Sequence, residues 1–335
     1  MRKLPVYIAI DVSESMIGQA LDQVNRCLDN MIGTLRRNPY ALETAWLSII
    51  TFDSKARVAV PLTELIEFQF PKLAVRPGTS LGAAIDLLRE RIAQEVAATT
   101  AETKGDWRPI VFFLTDGQPT DAWRQAAQKL KSSKPRPSKI YAFGLGDEID
   151  FALLKEVADY TFRVGDATPE RMSDMFAWIS SSIQTQSRNV HTGADSDEIL
   201  PPKGIELVKD ELPDAPKFPR QIFFHGVCSK TKKNFLARYK YADAEDAYWI
   251  SDSYPIPDDF FADVAPGTLP TVDVTKILGQ PKCPHCETEG WLHCVKCGGW
   301  FCYDLSRNVG GVCPCCGMRF GGFADASGNV ARSLG

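Results

Sequence analysis

The sequence has no apolar run near the roughly 18 residues that a membrane span requires. Its longest, such as Ile110–Leu114, are the size of a strand. Neither charge sign dominates: 38 Lys and Arg stand against 42 Asp and Glu, for a net charge of -4. This balance argues against nucleic acid as the main partner, since phosphate binding needs clustered Lys and Arg. Histidine is scarce. His191, His225, His285 and His293 all lie beyond residue 185, so the chain before that point lacks the commonest general base. A phosphate-cradling G-x-x-x-x-G-K-[ST] loop is absent, and the whole unit shows no internal repeat. The N-terminal MRKLPVYIAID starts basic and turns apolar, but Asp11 breaks the run and no small-residue cleavage site follows. It reads as a first strand, and the expectation is a cytoplasmic protein with no membrane association.

What is present is an ordinary globular composition, 44% hydrophobic and 24% charged over 335 residues, enough for two domains. Up to residue 185 the chain alternates strand-like and helix-like segments. VYIAI (6–10), WLSIITF (46–52), ARVAVPL (56–62), IVFFLTDG (110–117), IYAFGLG (140–146) and YTFRV (160–164) are short, apolar and often β-branched. Helical spacing runs from Ile17 to Leu35, and helices are expected within 78–96 and over 121–131, 151–158 and 169–184. Such alternation predicts an α/β fold, a doubly wound, mostly parallel sheet of six strands with helices on both faces. Five prolines then mark 186–220 as a linker. QIFFHGVC (221–228), NFLARYKY (234–241) and AYWISDSYPI (247–256) read as three antiparallel strands of a second, small β-rich domain over 221–330.

Three pieces of the first domain follow predicted strands: Asp11-Val-Ser13-Glu-Ser15, Pro77-Gly-Thr79-Ser, and Thr115-Asp116-Gly117. In an open parallel sheet the carboxyl ends of the strands form one rim where ligands bind, so these pieces can converge. Hydroxyl and carboxylate oxygens suit a small hard cation: Mg²⁺, with Mn²⁺ or Ca²⁺ as alternatives. Alternation puts Asp11, Ser13 and Ser15 on the same side of an extended segment. DVSES, GTS and TDG resemble the three-part metal-ion-dependent adhesion site of von Willebrand factor A domains. That resemblance implies a Rossmann-like fold over 1–185, with Ser13, Ser15 and Thr79 as direct ligands. Asp11 and Asp116 would act largely through water, and a partner's acidic side chain would complete the shell. The implied protein is a binding module rather than an enzyme.

A competing motif overlaps this one. Gly78-Thr-Ser80-Leu-Gly82 satisfies G-x-S-x-G, the nucleophile elbow of serine hydrolases, with Ser80 as nucleophile. The elbow needs a strand directly before it, and Arg76-Pro77 precedes instead.

Of ten cysteines, eight lie between Cys283 and Cys316. Cys283-Pro-His-Cys286, Cys294-Val-Lys-Cys297 and Cys313-Pro-Cys-Cys316 are C-x₂-C pairs of the kind that hold structural Zn²⁺. One partition joins Cys283, Cys286, Cys313 and Cys316. A second zinc would then take Cys294, Cys297 and Cys302, with His293 or Cys315 as fourth ligand. Other partitions stay open, and one or two Zn²⁺ are expected. Cys27 lies on an apolar helix face and Cys228 ends a strand, so both read as packing residues. The basic stretch Lys230–Lys240, with Phe235 and Tyr239 between its charges, leaves a nucleic-acid-binding zinc protein as a further alternative.

HGVCSKTKKNFLARYKY followed by CPHC…CVKCGGWFC…CPCCG resembles the C-terminal metal-binding domain of TerY-type proteins, and MRKLPVYIAIDVSESM and FFLTDGQPTDAW are similar to their start. That resemblance implies a place in a bacterial tellurite-resistance, stress or defence response. It also implies a Ser/Thr kinase and a PP2C-type phosphatase as partners, and phosphorylation signalling as the setting.

Overall fold

The computed structural model describes residues 2–116, 119–146, 149–193, 204–208, 219–261, 270–304, 306, 310–321 and 329–332. Two compact units are present, the first of residues 1–75 and 79–216 and the second of residues 217–335 with 76–78.

In the first unit, β1 (Leu4–Asp11) leads through α1 (Gln19–Arg36) and α2 (Pro39–Thr44) to β2 (Ala45–Phe52) and β3 (Ala56–Glu64). Then follow α3 (Leu81–Glu95), β4 (Ile110–Thr115), α4 (Trp123–Lys131), β5 (Lys139–Leu145), α5 (Phe151–Val157), β6 (Tyr160–Gly165), α6 (Pro169–Thr192) and β7 (Glu206–Leu207). The sheet order is β3-β2-β1-β4-β5-β6-β7, parallel except for β3 and β7 at its edges. Strand periodicity divides the core. Val6, Ile8 and Ile10 of β1 pack with Val24 and Leu28 of α1 and Met175 and Ile179 of α6. Tyr7 and Ala9 pack on the opposite face with Ile85 and Leu88 of α3 and Leu130 of α4. Burial on both faces explains why β1 and β4 read as unbroken apolar runs.

The structure departs from the sequence-based expectations at several points. Among the described residues the sheet has seven strands, because Glu206–Leu207 pairs antiparallel with β6. Two residues carry too little pattern to be read as a strand. The short helix α2 begins at Pro39, with the Asn38 side chain capping the Ala41 N–H at 3.0 Å. Helix α6 runs on to Thr192 and ends at Gly193 in the left-handed conformation, so the expected linker begins too early. His191 therefore belongs to the first unit, where its ring lies 5.2 Å from that of Tyr40. The remainder of the expected linker lies largely outside the described residues.

The second unit contains β8 (Gln221–Val227), β9 (Asn234–Ala242), β10 (Ala247–Pro255), β11 (Thr271–Asp273), β12 (Ile277–Leu278), β13 (Trp291–His293) and β14 (Trp300–Cys302). The last three strands are β15 (Gly311–Val312), β16 (Arg319–Phe320) and β17 (Asn329–Ala331). Its main sheet has the order β12-β10-β9-β8-β14-β13. The three long strands pair antiparallel, as their spacing predicts. Phe224, Tyr239, Trp291 and Trp300 form its aromatic core, with the two tryptophan rings 4.2 Å apart.

Candidate metal centres

At the carboxyl rim of the first sheet, Asp11 ends β1 and Thr115 ends β4, strands whose register sets Ile10 beside Leu114. Asp11 is fully buried. Its Oδ2 accepts from Thr115 Oγ1 at 2.6 Å and its Oδ1 from Ser13 N–H at 2.9 Å. From Ser13 the chain of bonds continues: Ser13 Oγ lies 2.8 Å from Ser15 Oγ, and Ser15 Oγ donates to Asp116 Oδ1 at 2.6 Å. Ser15 reaches this position on a 3₁₀ turn over Glu14–Met16, which corrects the expected extended segment. The turn brings the serines together, whereas strict alternation would only have put them on one side.

Thr79 is buried on the loop before α3, and its carbonyl accepts from Thr120 N–H at 2.8 Å and from Thr120 Oγ1 at 3.0 Å. The next amide, Ser80 N–H, donates to Asp53 O at 2.7 Å. Asp53 follows Phe52, which pairs with Asp11 across the sheet, so this loop is fastened to the same rim. Among the described residues no bond joins the Thr79 hydroxyl to the Asp11–Asp116 chain. Gly117 lies outside the described residues.

Burial pushes the Asp11 carboxyl up to about 6, against hydrogen bonds from Thr115 and Ser13 that lower it, while buried Glu14 adds to the rise. An ionised carboxylate without water is unfavourable unless a positive charge compensates it. Two carboxylates and three hydroxyls in one bonded chain are a donor set of the kind a small hard cation takes.

The G-x-S-x-G match has a structural explanation. Residues 71–80 form no strand ahead of Ser80, and the Ser80 hydroxyl donates to Ser54 O at 3.1 Å. Gly82 is demanded by packing. A Cβ there would stand 2.9 Å from both Asp121 Oδ2 and Trp123 Cα. The Asp121 carboxylate accepts from the N–H groups of Gly82 and Ala83, each at 2.9 Å, and so caps α3 from a distant segment. Gly82→Ala is expected to cost roughly 1–3 kcal/mol through overpacking and a disturbed cap, read as a lowered thermal midpoint. An unchanged midpoint would mean that this contact is loose.

The second unit gathers eight thiols into two groups. Cys228, Cys283, Cys286 and Cys302 form one, and Cys294, Cys297, Cys313 and Cys316 the other, with all sulfurs of a group within 4.8 Å of one another. Four cysteines share one local fold. The N–H of Cys228, Cys283, Cys294 and Cys313 donates to the carbonyl five residues on (Lys233, Thr288, Gly299, Met318) at 2.8–2.9 Å. The residue four on (Lys232, Glu287, Gly298, Gly317) donates back to the cysteine carbonyl and takes positive φ.

Cys228 is the residue that sequence reasoning missed. Cys228-Ser-Lys-Thr231 is a knuckle whose second cysteine is replaced by threonine, so the C-x₂-C signal is silent. Thr231 N–H still donates to Cys228 Sγ at 3.3 Å. The vacant ligand place is filled by Cys302, because β14 runs parallel to β8 with Phe301 beside Val227. Ser229 N–H donates to Cys302 Sγ at 3.2 Å. The partition of Cys283 and Cys286 with Cys313 and Cys316 is thus not the one adopted, and Cys302 does not join Cys294 and Cys297. Neither His293 nor Cys315 enters a group: the His293 ring lies 4.9 Å from that of Trp300. His285 Nε2 lies 2.8 Å from Asn234 O. Burial opposes ionisation of Cys228, but the amides and hydroxyl around it outweigh burial and lower its pKa. The Cys297 and Lys296 amides do the same for Cys294. Four converging thiols with N–H donors behind them fit a tetrahedral, closed, structural metal site.

A parallel sheet wrapped by helices, with a polar rim at its carboxyl end, defines the class of the first unit. The sequence model of the von Willebrand factor type A domain matches residues 6–177. The chain belongs to that family, whose members are generally non-enzymatic modules of adhesion or protein–protein interaction. Among solved structures, a von Willebrand factor type A protein from Catenulispora acidiphila is similar at 17% identity and TM-score 0.41, over 55% of this chain and 43% of its own. BatB from Bacteroides thetaiotaomicron is similar at 20% identity and TM-score 0.37, over 53% and 98%. Proximal thread matrix protein 1 from the mussel byssus, with a zinc-occupied MIDAS motif, is similar at 15% identity and TM-score 0.38, over 56% and 46%. The chain spans less than half the length of the mussel and Catenulispora proteins. Among the described residues no helix is long and apolar enough to cross a membrane.

Proposed function

We propose that this protein is a non-enzymatic adaptor that binds a protein partner through a divalent cation, Mg²⁺ in the first instance, held at the rim of its von Willebrand A domain. One observation carries this reading: the bonded chain Thr115–Asp11–Ser13–Ser15–Asp116, which buries one carboxylate and ends on a second that is half-exposed. Asp11, Ser13, Ser15, Thr79 and Asp116 are the proposed cation-binding groups. A metal bound largely through neutral hydroxyls stays electron-poor and favours an outside carboxylate or phosphate oxygen. The partner therefore offers an acidic or phosphorylated side chain. The two four-thiol groups are proposed to hold one Zn²⁺ each and to serve folding rather than chemistry.

The finer reading is a TerY-type protein with a von Willebrand A domain that runs through α6 to Thr192 and takes in β7, followed by a zinc domain over 221–330. It works in the cytoplasm of a bacterium beside a Ser/Thr kinase and a PP2C-type phosphatase, in a tellurite, stress or defence response. Its support is the likeness of the N-terminal and cysteine-rich segments to that family.

Immobilised protein exposed to bacterial cytosol, with Mg²⁺ and with EDTA, tests the adaptor reading. A partner retained only with Mg²⁺ is expected, and a kinase or phosphatase among the retained proteins supports the finer reading. Equal retention in EDTA sinks the cation-dependent mechanism. Ser80→Ala is expected to leave any trace ester hydrolysis unchanged, and loss of measurable activity in that variant would restore the hydrolase.

A further inference from the structure

Ten cysteines occur in the chain, and the two thiol groups use eight. Cys27 packs in the first unit's core. Cys315 remains, placed between the group members Cys313 and Cys316 yet belonging to neither group. It is exposed, as are Cys297 and Cys316. Its sulfur lies 2.9 Å from the point that a Cβ on Gly299 would occupy, and the Cys297 sulfur lies 3.4 Å from the same point. Two thiols, one a candidate ligand and one surplus, thus border the same space beside Gly299. A cavity of about 560 Å³ reaches both, lined also by Gly299, Trp300 and Pro314. The other group offers a built-in contrast. Cys228, Cys283 and Cys302 are buried, and with Cys27 in the other unit no surplus thiol stands beside them.

We propose that Cys297 and Cys315 form an oxidation site for hydroperoxides, at which a Cys297–Cys315 disulfide forms and the metal of the exposed thiol group is released. The inference rests on the zinc reading given above. In the first step the Cys297 thiolate attacks one peroxide oxygen. The O–O bond breaks, hydroxide leaves, and Cys297 becomes a sulfenic acid. In the second the Cys315 thiol attacks the sulfenic sulfur. The S–S bond forms, the S–O bond breaks, and the hydroxyl leaves with the thiol proton as water. Two electrons pass from the two sulfurs to the peroxide. Cys294, Cys313 and Cys316 are left as an incomplete ligand set, which loses the fourth thiolate of a closed site. Partial exposure selects which of two similar groups reacts, since thiol oxidation follows access.

The test uses the full chain, wild type and Cys315→Ser, purified with zinc and treated with hydrogen peroxide. Zinc content is measured first, released zinc is followed with a chromogenic chelator, and disulfides are mapped by mass spectrometry without reduction. Two zinc equivalents per chain are expected in both proteins at the start. Wild type should release one equivalent in step with a Cys297–Cys315 disulfide, and Cys315→Ser should release it roughly tenfold more slowly, lacking the resolving thiol. Equal release rates, a disulfide without Cys315, or both equivalents leaving together would overturn the proposal. A lower zinc content in Cys315→Ser would make Cys315 a ligand and overturn it too. Absence of zinc from both proteins at the start would instead sink the zinc reading beneath it.

Discussion

Cys228→Ser is expected to remove one of two zinc equivalents and to unfold the six-stranded sheet of the second unit, although Cys228 stands outside every C-x₂-C pair. The sulfur meets those of Cys283, Cys286 and Cys302 within 4.8 Å, so its loss leaves three thiols around a metal that takes four. The binding free energy at such sites is folding free energy, on the order of 10–16 kcal/mol for structural zinc in small domains. The site also ties distant segments together: β8 ends at it, β14 supplies Cys302, and the 283–288 knuckle lies between. Cys283 and Cys302 pack with Trp291 and Trp300 in one apolar cluster, so tryptophan fluorescence and near-ultraviolet circular dichroism report the collapse. Two controls set the scale. Cys27→Ser should keep both zinc equivalents. Thr231→Ala should keep both zinc equivalents, because it loses the hydroxyl beside Cys228 but keeps the amide that donates to Cys228 Sγ. Two zinc equivalents retained in Cys228→Ser would show that Cys228 is not a ligand.

The same residue shows where sequence reasoning stops. Sheet strands buried on both faces announce themselves, as Val6–Ile10 and Ile110–Leu114 do, because every position needs an apolar side chain. The C-x₂-C pairs are legible because ligand spacing is local. Cys228 is not, since its partner Cys302 comes from a parallel strand 74 positions away and only the backbone ladder reveals the neighbour. In Cys228-Ser-Lys-Thr-Lys-Lys the position four residues after the cysteine takes positive φ. Lysine at that position hides the turn that Gly298 and Gly317 advertise. In the first unit, the residues that form the rim were legible as strand-end motifs, while the 3₁₀ turn that unites Ser13 with Ser15 was not. Alternation and a tight turn both put i and i+2 on one side, and the sequence does not choose between them. Helix α2 escaped because six residues are too few to show a period, and β7 because two show none.

Asp11→Asn is expected to lower Mg²⁺ affinity by about 10- to 100-fold, the usual cost of losing a charged group that orients a metal site, and to abolish cation-dependent retention of the partner. The substitution preserves shape. An amide oxygen at Oδ1 can still accept from Ser13 N–H, and the amide nitrogen can donate to the Thr115 hydroxyl. What it removes is charge, and the pH dependence of the metal-free protein separates the two. Burial raises the folded carboxyl to about 6, above its unfolded value. The folded state therefore holds the proton more tightly, and stability is greatest below the unfolded pKa. Raising the pH from about 4 to above 6 should destabilise metal-free wild type, by an amount on the order of 3 kcal/mol for a shift of this size. Asp11→Asn has no proton to lose there, so its melting point should change less across the same window. Above pH 6 the metal-free variant should match or exceed metal-free wild type. Added Mg²⁺ should restore wild type and leave the variant nearly unmoved, because the cation supplies the charge that the buried carboxylate lacks. Parallel curves for the two metal-free proteins would mean that Asp11 carries no excess charge cost when folded. A variant unfolded at neutral pH would mean that Asp11 holds the fold rather than the cation. If instead the curves cross near pH 6, the carboxylate is kept against its own folding cost, and a bound cation is what offsets it.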